Sequence, residues 1–187
     1  VPLLSTSSKL LIGGSILIAI ISFFNGEFIL GLIYNNDVSI STPSFQLLMI
    51  SFIGMCSTII FGTLLTARGD LKFLNSLSII GIFVNISINL YLIPDYGAQG
   101  AAVATVVTQS LVSAIQFIYC MKVLEIKFSL ITTGQITLYT LLIITFCYYV
   151  RAESTLLLIG IIGASFISMF IFKLIDYKSL SKVLKRS

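Results

Sequence analysis

Long apolar stretches without any charged residue alternate with short polar segments along the chain. An ionised side chain at the bilayer centre costs about 2.5 to 3.5 kcal/mol on insertion scales, so charges are expected to mark the loops between membrane spans. A helix needs about 20 mostly apolar residues to cross the hydrocarbon core. The charge-free windows are residues 10–26, 38–67, 73–94, 96–121, 128–150 and 154–172. The pattern therefore predicts an all-α polytopic membrane bundle of six transmembrane helices.

Composition excludes a soluble domain and argues against metal-dependent or histidine-based catalysis. Hydrophobic residues make up 57% of the 187 residues and charged ones 10%, against about 25% charged residues in soluble domains. Histidine is absent, and the three cysteines lie far apart within apolar runs. We therefore expect no catalytic residues, no metal site, no cofactor and no enzymatic activity. The sparse basic residues are not interleaved with aromatic ones, so nucleic acid is not an expected partner.

The basic residues are distributed very unevenly over the predicted loops. One set of alternating loops, with both termini, holds ten of the eleven Lys and Arg residues, and the other set holds only Arg151. By the positive-inside rule, both termini are expected in the cytoplasm and the chain in the cytoplasmic (inner) membrane, surrounded by membrane lipids. The ten are Lys9, Arg68, Lys72, Lys122, Lys127, Lys173, Lys178, Lys182, Lys185 and Arg186.

The last residues, 176–187, alternate apolar side chains with Lys and Arg. This pattern is typical of a basic amphipathic cytoplasmic tail. It could dock on anionic lipid or a partner enzyme, or it could only anchor the chain on the cytoplasmic leaflet.

Polar side chains recur at helical spacing in two neighbouring windows, and helix faces that contact lipid need no polar groups. Two explanations stand: interhelical hydrogen bonds worth about 0.6 kcal/mol each, or the lining of a hydrated transport path for a polar solute. The candidate path residues are Asn75, Ser78, Asn85 and Asn89 in the third window and Thr105, Gln109, Ser113 and Gln116 in the fourth.

A basic pair, Arg68 and Lys72, brackets the short segment before the third window, where Asp70 is placed to cap a helix. Two cations beside a helix N-terminus could bind phosphate. The positive-inside rule alone also explains basic residues at this position.

Residues 89–105 read NLYLIPDYGAQGAAVAT. This segment resembles the Asn-x-x-Leu-Ile-Pro-x-Tyr-Gly-x-x-Gly-Ala-Ala-x-Ala-Thr signature of polysaccharide exporters and O-antigen flippases. These belong to the multidrug/oligosaccharidyl-lipid/polysaccharide exporter superfamily. In physical terms, Pro94 ends one helix, Gly97 turns the chain, and Gly100 with the alanines after it packs the next helix closely.

The resemblance implies that the six spans are the last six of a fourteen-helix transporter. Residues 1–121 would supply four helices of the C-terminal lobe, 122–175 two additional helices, and 176–187 the tail. The implied substrate is a polyprenyl-diphosphate-linked oligosaccharide, flipped across the membrane by alternating access together with the missing N-terminal lobe. We therefore expect a C-terminal fragment of such a flippase. The alternatives are a drug exporter of the same superfamily and a self-contained six-helix scaffold or assembly subunit.

Overall fold

The structure, a computed structural model, describes residues 2–34, 37–124 and 130–171. These ranges are helical apart from short connections, and they contain no strand, which confirms the all-α class. The predicted tail, 176–187, lies outside the described residues. The helices are α1 (Pro2–Phe24), α2 (Gly26–Ile33), α3 (Thr42–Arg68), α4 (Leu71–Val123), α5 (Leu130–Tyr149) and α6 (Thr155–Ile171).

Apolar helices make this a membrane-type protein, but they do not match the six predicted spans one to one. Among the described residues, α3 and α4 are long and apolar enough to cross a membrane. A third span results if Ser8–Phe24 and α2, bent by 82°, form one broken span. Thr155–Met169 is a shorter apolar helix. Six membrane-crossing helices therefore stay a prediction.

The third and fourth charge-free windows both fall within α4, which has a sharp break at Gly97. Gly97 has φ +53° and ψ −128°, a conformation that glycine adopts without a steric penalty. It separates a first arm, residues 71–96, from a second arm, residues 98–123. At 1.5 Å per residue each arm is about 39 Å long, more than the roughly 30 Å of a bilayer core. The two windows therefore correspond to the two arms, which meet at Gly97.

The two arms of α4 run antiparallel and pack along their length. The rings of Phe73 and Tyr119, near the free ends of the arms, stack with centroids 3.7 Å apart. Further along, a Cβ placed on Gly81 would lie 3.1 Å from Val112. The missing side chain at this position lets the helix backbones approach closely.

Helix α3 lies against the second arm and runs parallel to it. A Cβ on Gly54 would lie 3.1 Å from the backbone of Gln109, and one on Gly62 would lie 3.8 Å from the amide of Gln116. These glycines, one every two turns, give α3 a flat face for the second arm.

The remaining core joins α1 to α5 and α6. Its fully buried side chains include Tyr139, Ile143 and Cys147 of α5 and Ile161 of α6, packed against the second half of α1.

The bundle has two ends, which we name by a residue at each. The Gly97 end also holds the α1–α2 break and the start of α3, because the Gln46 amide donates to the Phe23 carbonyl at 2.7 Å. At the Arg68 end, α3 stops and the second arm of α4 finishes beside it, at Val123.

Candidate functional site

Two asparagines of the first arm, both predicted path residues, meet the second arm through hydrogen bonds. The Asn85 amide donates to the Thr108 hydroxyl at 3.3 Å, and the Asn89 amide donates to the Asn85 side-chain oxygen at 2.8 Å. These short side chains reach across because the arms are close: a Cβ on Gly100 would lie 2.6 Å from the Leu92 carbonyl oxygen. The structure thus joins Asn85, Asn89 and Thr108 into a polar chain, here named the asparagine chain.

One end of the asparagine chain is left without a donor. The Asn89 side-chain oxygen is buried and has no hydrogen-bond partner among the described residues. A buried acceptor without a partner costs about 1 to 3 kcal/mol. The Asn89 oxygen thus has an acceptor capacity that no described residue uses.

Asn89 also lines a cavity of about 260 Å³ on the first arm near the Gly97 end. Its other walls are apolar, so the site offers one amide within a hydrophobic surface. The lining residues are Ile86, Asn89, Leu90, Ile93 and Pro94.

The two glutamines of the second arm face α3 instead of the asparagine chain. Gln116 is 4% exposed, with its side-chain oxygen beside Gly62, and the backbone of Gln109 contacts Gly54. Thr108 lies about 100° around the helix from Gln109, since each helical residue turns by that angle. The structure therefore places Gln109 and Gln116 on a different interface from Asn85 and Asn89.

The remaining polar residues of the two stripes serve their own helices. The Ser78 hydroxyl donates to the Leu74 carbonyl at 2.9 Å, and Thr105 donates to Ala101 at 2.9 Å. Ser113 donates to the carbonyl of Ser110 at 3.1 Å, and Asn75 is exposed. A hydroxyl bonded to the preceding turn needs no other partner, so these residues do not extend the asparagine chain.

The proposed phosphate-binding pair lies at the Arg68 end. The Arg68 guanidinium donates to the Val123 carbonyl, and its Nε lies 3.4 Å from an Asp70 carboxylate oxygen. Asp70 occupies the N-cap position of α4, but its side chain makes no capping hydrogen bond. Arg68 thus ties the end of the second arm to the α3–α4 connection, while Lys72 is exposed.

A second polar cluster, which the sequence did not single out, holds the break between α1 and α2. Asn25 is 3% exposed, and its amide donates to the Ile21 carbonyl at 3.0 Å. Its oxygen accepts from the backbone N–H of Ala152, in the α5–α6 connection, at 2.7 Å. The Asn25-Gly26 pair after an apolar run signals a break in a helix. The bond to Ala152, 127 residues away, has no local signature.

Thr108, the other unpredicted residue, stands in a row with Gly100 and Ala104 at spacings of four. Such a row lies on one helix face. Because Gly100 contacts the first arm, its helix face predicts that Thr108 also faces that arm.

Among the described residues, no group of three or more His, Cys, Asp or Glu side chains could hold a metal ion. Comparison with protein-family models, with curated proteins and with solved structures gives no match.

Proposed function

We propose that the chain forms part of the C-terminal lobe of a flippase for polyprenyl-diphosphate-linked oligosaccharides. The observation that carries this proposal is the turn of α4, where the signature-like residues have distinct structural roles. Gly97 takes a positive φ and Gly100 lies against the Leu92 carbonyl. Asn89, the first residue of the segment, has a buried acceptor oxygen without a partner among the described residues.

The surroundings of Asn89 suit a solute that is partly apolar and partly polar. A lipid-linked oligosaccharide has a hydrocarbon chain and hydroxyl-rich sugars. The apolar walls of the 260 Å³ cavity, including Ile86 and Leu90, fit the first part. Sugar hydroxyls donate hydrogen bonds, and the Asn89 side-chain oxygen is an acceptor without a partner among the described residues. We therefore assign the asparagine chain to the solute path and Gln109 and Gln116 to packing against α3.

The experiment is deletion of the gene that encodes the chain, in its own organism, followed by complementation. We expect deletion to remove surface glycan and to accumulate lipid-linked oligosaccharide on the cytoplasmic side. Complementation by the unaltered gene should restore both. A gene carrying Asn85→Leu with Asn89→Leu should give normal protein abundance but little glycan, because the loss of interhelical hydrogen bonds alone costs only about 0.6 kcal/mol each.

The matched control is Ser87→Leu, an exposed position on the same arm whose hydroxyl donates to the Phe83 carbonyl. It should restore glycan fully. Normal glycan in a well-expressed double variant would remove the asparagines from the path. Deletion that changes only sensitivity to toxic amphiphiles would favour a drug exporter. Deletion that removes glycan without accumulating its lipid-linked precursor would favour an assembly subunit.

A further inference from the structure

A second cavity, separate from the asparagine chain, lies at the break between α1 and α2. It measures about 270 Å³ and carries one acidic and one basic side chain, Glu27 and Arg151. Both belong to the Gly97 end, because Asn25 at the base of the cavity is hydrogen bonded to Ala152. The lining is Phe24, Asn25, Glu27, Phe28, Arg151 and Ala152.

Glu27 and Arg151 line the same cavity but do not form an ion pair with each other. Within the described ranges, ion pairing joins Arg68 to Asp70, and no ion pair within 4.0 Å links Glu27 to Arg151. The hydrogen bond from the Ala152 backbone N–H to the Asn25 side-chain oxygen ties together the segments that carry the charges. The cavity therefore presents a separated anion and cation to a ligand.

The position of the cavity indicates where that ligand comes from. Tyr148 and Tyr149, which end α5 just before Arg151, are 63% and 79% exposed. Exposed tyrosines at the end of an apolar helix are typical of the headgroup level of a membrane. The phenyl rings of Phe24 and Phe28 in the lining add apolar surface beside the charges. A membrane lipid satisfies both parts of this surface.

We propose that this cavity binds the headgroup of a zwitterionic phospholipid with a primary ammonium group, as in phosphatidylethanolamine. A guanidinium forms charge-assisted hydrogen bonds with a phosphate, which assigns the lipid phosphate to Arg151. A primary ammonium donates hydrogen bonds to a carboxylate, which assigns it to Glu27. The quaternary ammonium of phosphatidylcholine has no N–H to donate, and phosphatidylglycerol has no cation. This inference is independent of the proposed transport function.

The test measures lipid retention by the full chain, purified in detergent and mixed with vesicles of phosphatidylethanolamine, phosphatidylcholine or phosphatidylglycerol of identical acyl chains. Native mass spectrometry counts the bound lipids. We expect the wild-type chain to retain phosphatidylethanolamine at least about tenfold more tightly than the other two, since a hydrogen bond to a charged group contributes about 1.5 to 3 kcal/mol. Equal retention of the three lipids would overturn the proposal.

Variants separate the roles of the two charges. Glu27→Gln should abolish the preference for phosphatidylethanolamine, and Arg151→Gln should weaken retention of all three lipids, because all carry a phosphate. The matched control is Glu153→Gln, which removes an exposed charge two residues from Arg151 that does not line the cavity. It should keep the wild-type preference. Unchanged helicity by circular dichroism shows that each variant is folded.

A final arm distinguishes a lipid from a soluble zwitterion. Glycerophosphoethanolamine carries the same phosphodiester anion and primary ammonium but no acyl chains. We expect it to displace the lipid only at concentrations far above that of the lipid. Displacement at equal concentration would overturn the assignment to a membrane lipid, and an undiminished preference in Glu27→Gln would overturn the assignment of the ammonium.

Discussion

Polar side chains in this apolar protein fall into two groups that behave differently. Hydroxyls such as those of Ser78 and Thr105 donate to carbonyls of their own helix, so these hydrogen bonds do not link two helices. Amides connect segments that are distant in sequence: Asn85 reaches the second arm of α4, Gln46 reaches the end of α1, and Asn25 reaches the α5–α6 connection. In this protein the amides, more than the hydroxyls, mark tertiary contacts.

The Asn25 contacts give a prediction about stability. Asn25→Ala leaves the buried N–H of Ala152 without its acceptor, and it removes the donor to the Ile21 carbonyl. We expect the free energy of unfolding to fall by about 1 to 3 kcal/mol. Denaturation of the purified chain in mixed detergent, followed by circular dichroism, measures this. Asn75→Ala, at an exposed position, should change stability by less than about 0.5 kcal/mol. Equal effects of the two variants would contradict the role of Asn25.

Gly100 gives a second prediction at the same scale. Gly100→Ala would place a Cβ 2.6 Å from the backbone oxygen of Leu92, so the two arms of α4 would have to separate. We expect a loss of about 1 to 3 kcal/mol in the free energy of unfolding. Gly134→Ala is the control, because nothing lies within 4 Å of a Cβ there. That change should stabilise α5 slightly, by up to about 1 kcal/mol. If Gly100→Ala also stabilised the protein, the close approach of the arms would be wrong.

At the scale of the elements, the spacing of charges predicted most of the helical segments but not how they join. The windows 73–94 and 96–121 correspond to the two arms of α4, and Gly97 is the turn that the sequence predicted. The window 10–26 predicted one span that ends at Gly26. The structure has an 82° bend between α1 and α2. The window ends at this bend because Glu27 follows it, whereas the spacing of charges does not give the angle between the two helices.

Helical spacing grouped Gln109 and Gln116 correctly on one face but could not identify the neighbour that this face meets. Either α3 or the first arm of α4 could have supplied it. In the structure the neighbour is α3, because the missing side chains at Gly54 and Gly62 let the second arm pack closely against it. Pairing between helices depends on the fit of both partners, whereas periodicity describes one helix alone.

The hairpin of α4 predicts a specific cross-link. The test uses a variant whose three native cysteines are replaced by serine. In it, Phe73→Cys with Tyr119→Cys should form a disulfide on mild oxidation, because the wild-type rings, with centroids 3.7 Å apart, place the two positions opposite each other on the two arms. Loss of maleimide labelling that a reductant reverses would report it. The control pair is Phe73→Cys with Tyr91→Cys, two positions on the same arm, which should stay reduced. Labelling that persists after oxidation in the first pair would contradict the antiparallel arms.

For the molecule as a whole, the two ends of the bundle differ in charge as well as in structure. Among the described residues, the Arg68 end carries the basic residues Arg68, Lys72 and Lys122 with one acid, Asp70, whereas the Gly97 end carries Glu27 and Asp95 with one base, Arg151. The structure brings the segments at each end together through contacts such as that between Arg68 and Val123. The charge asymmetry between alternating loops of the sequence thus corresponds to a charge asymmetry between the two ends of the bundle. The positive-inside rule gives this asymmetry a direction across the membrane.

The last prediction concerns that direction. Gln99 and Lys72 are both exposed. Lys72 lies at the start of the first arm of α4, at the Arg68 end, and Gln99 lies at the start of the second arm, at the Gly97 end. The positive-inside rule places Lys72 in the cytoplasm and Gln99 outside. In a variant without native cysteines, a membrane-impermeant maleimide applied to intact cells should label Gln99→Cys and spare Lys72→Cys. After the cells are opened, both should react, which shows that Lys72→Cys is accessible and only protected by the membrane. The reverse pattern would invert the topology and place the Glu27 and Arg151 cavity in the cytoplasmic leaflet. Labelling of both in intact cells would mean that the arms do not cross the membrane.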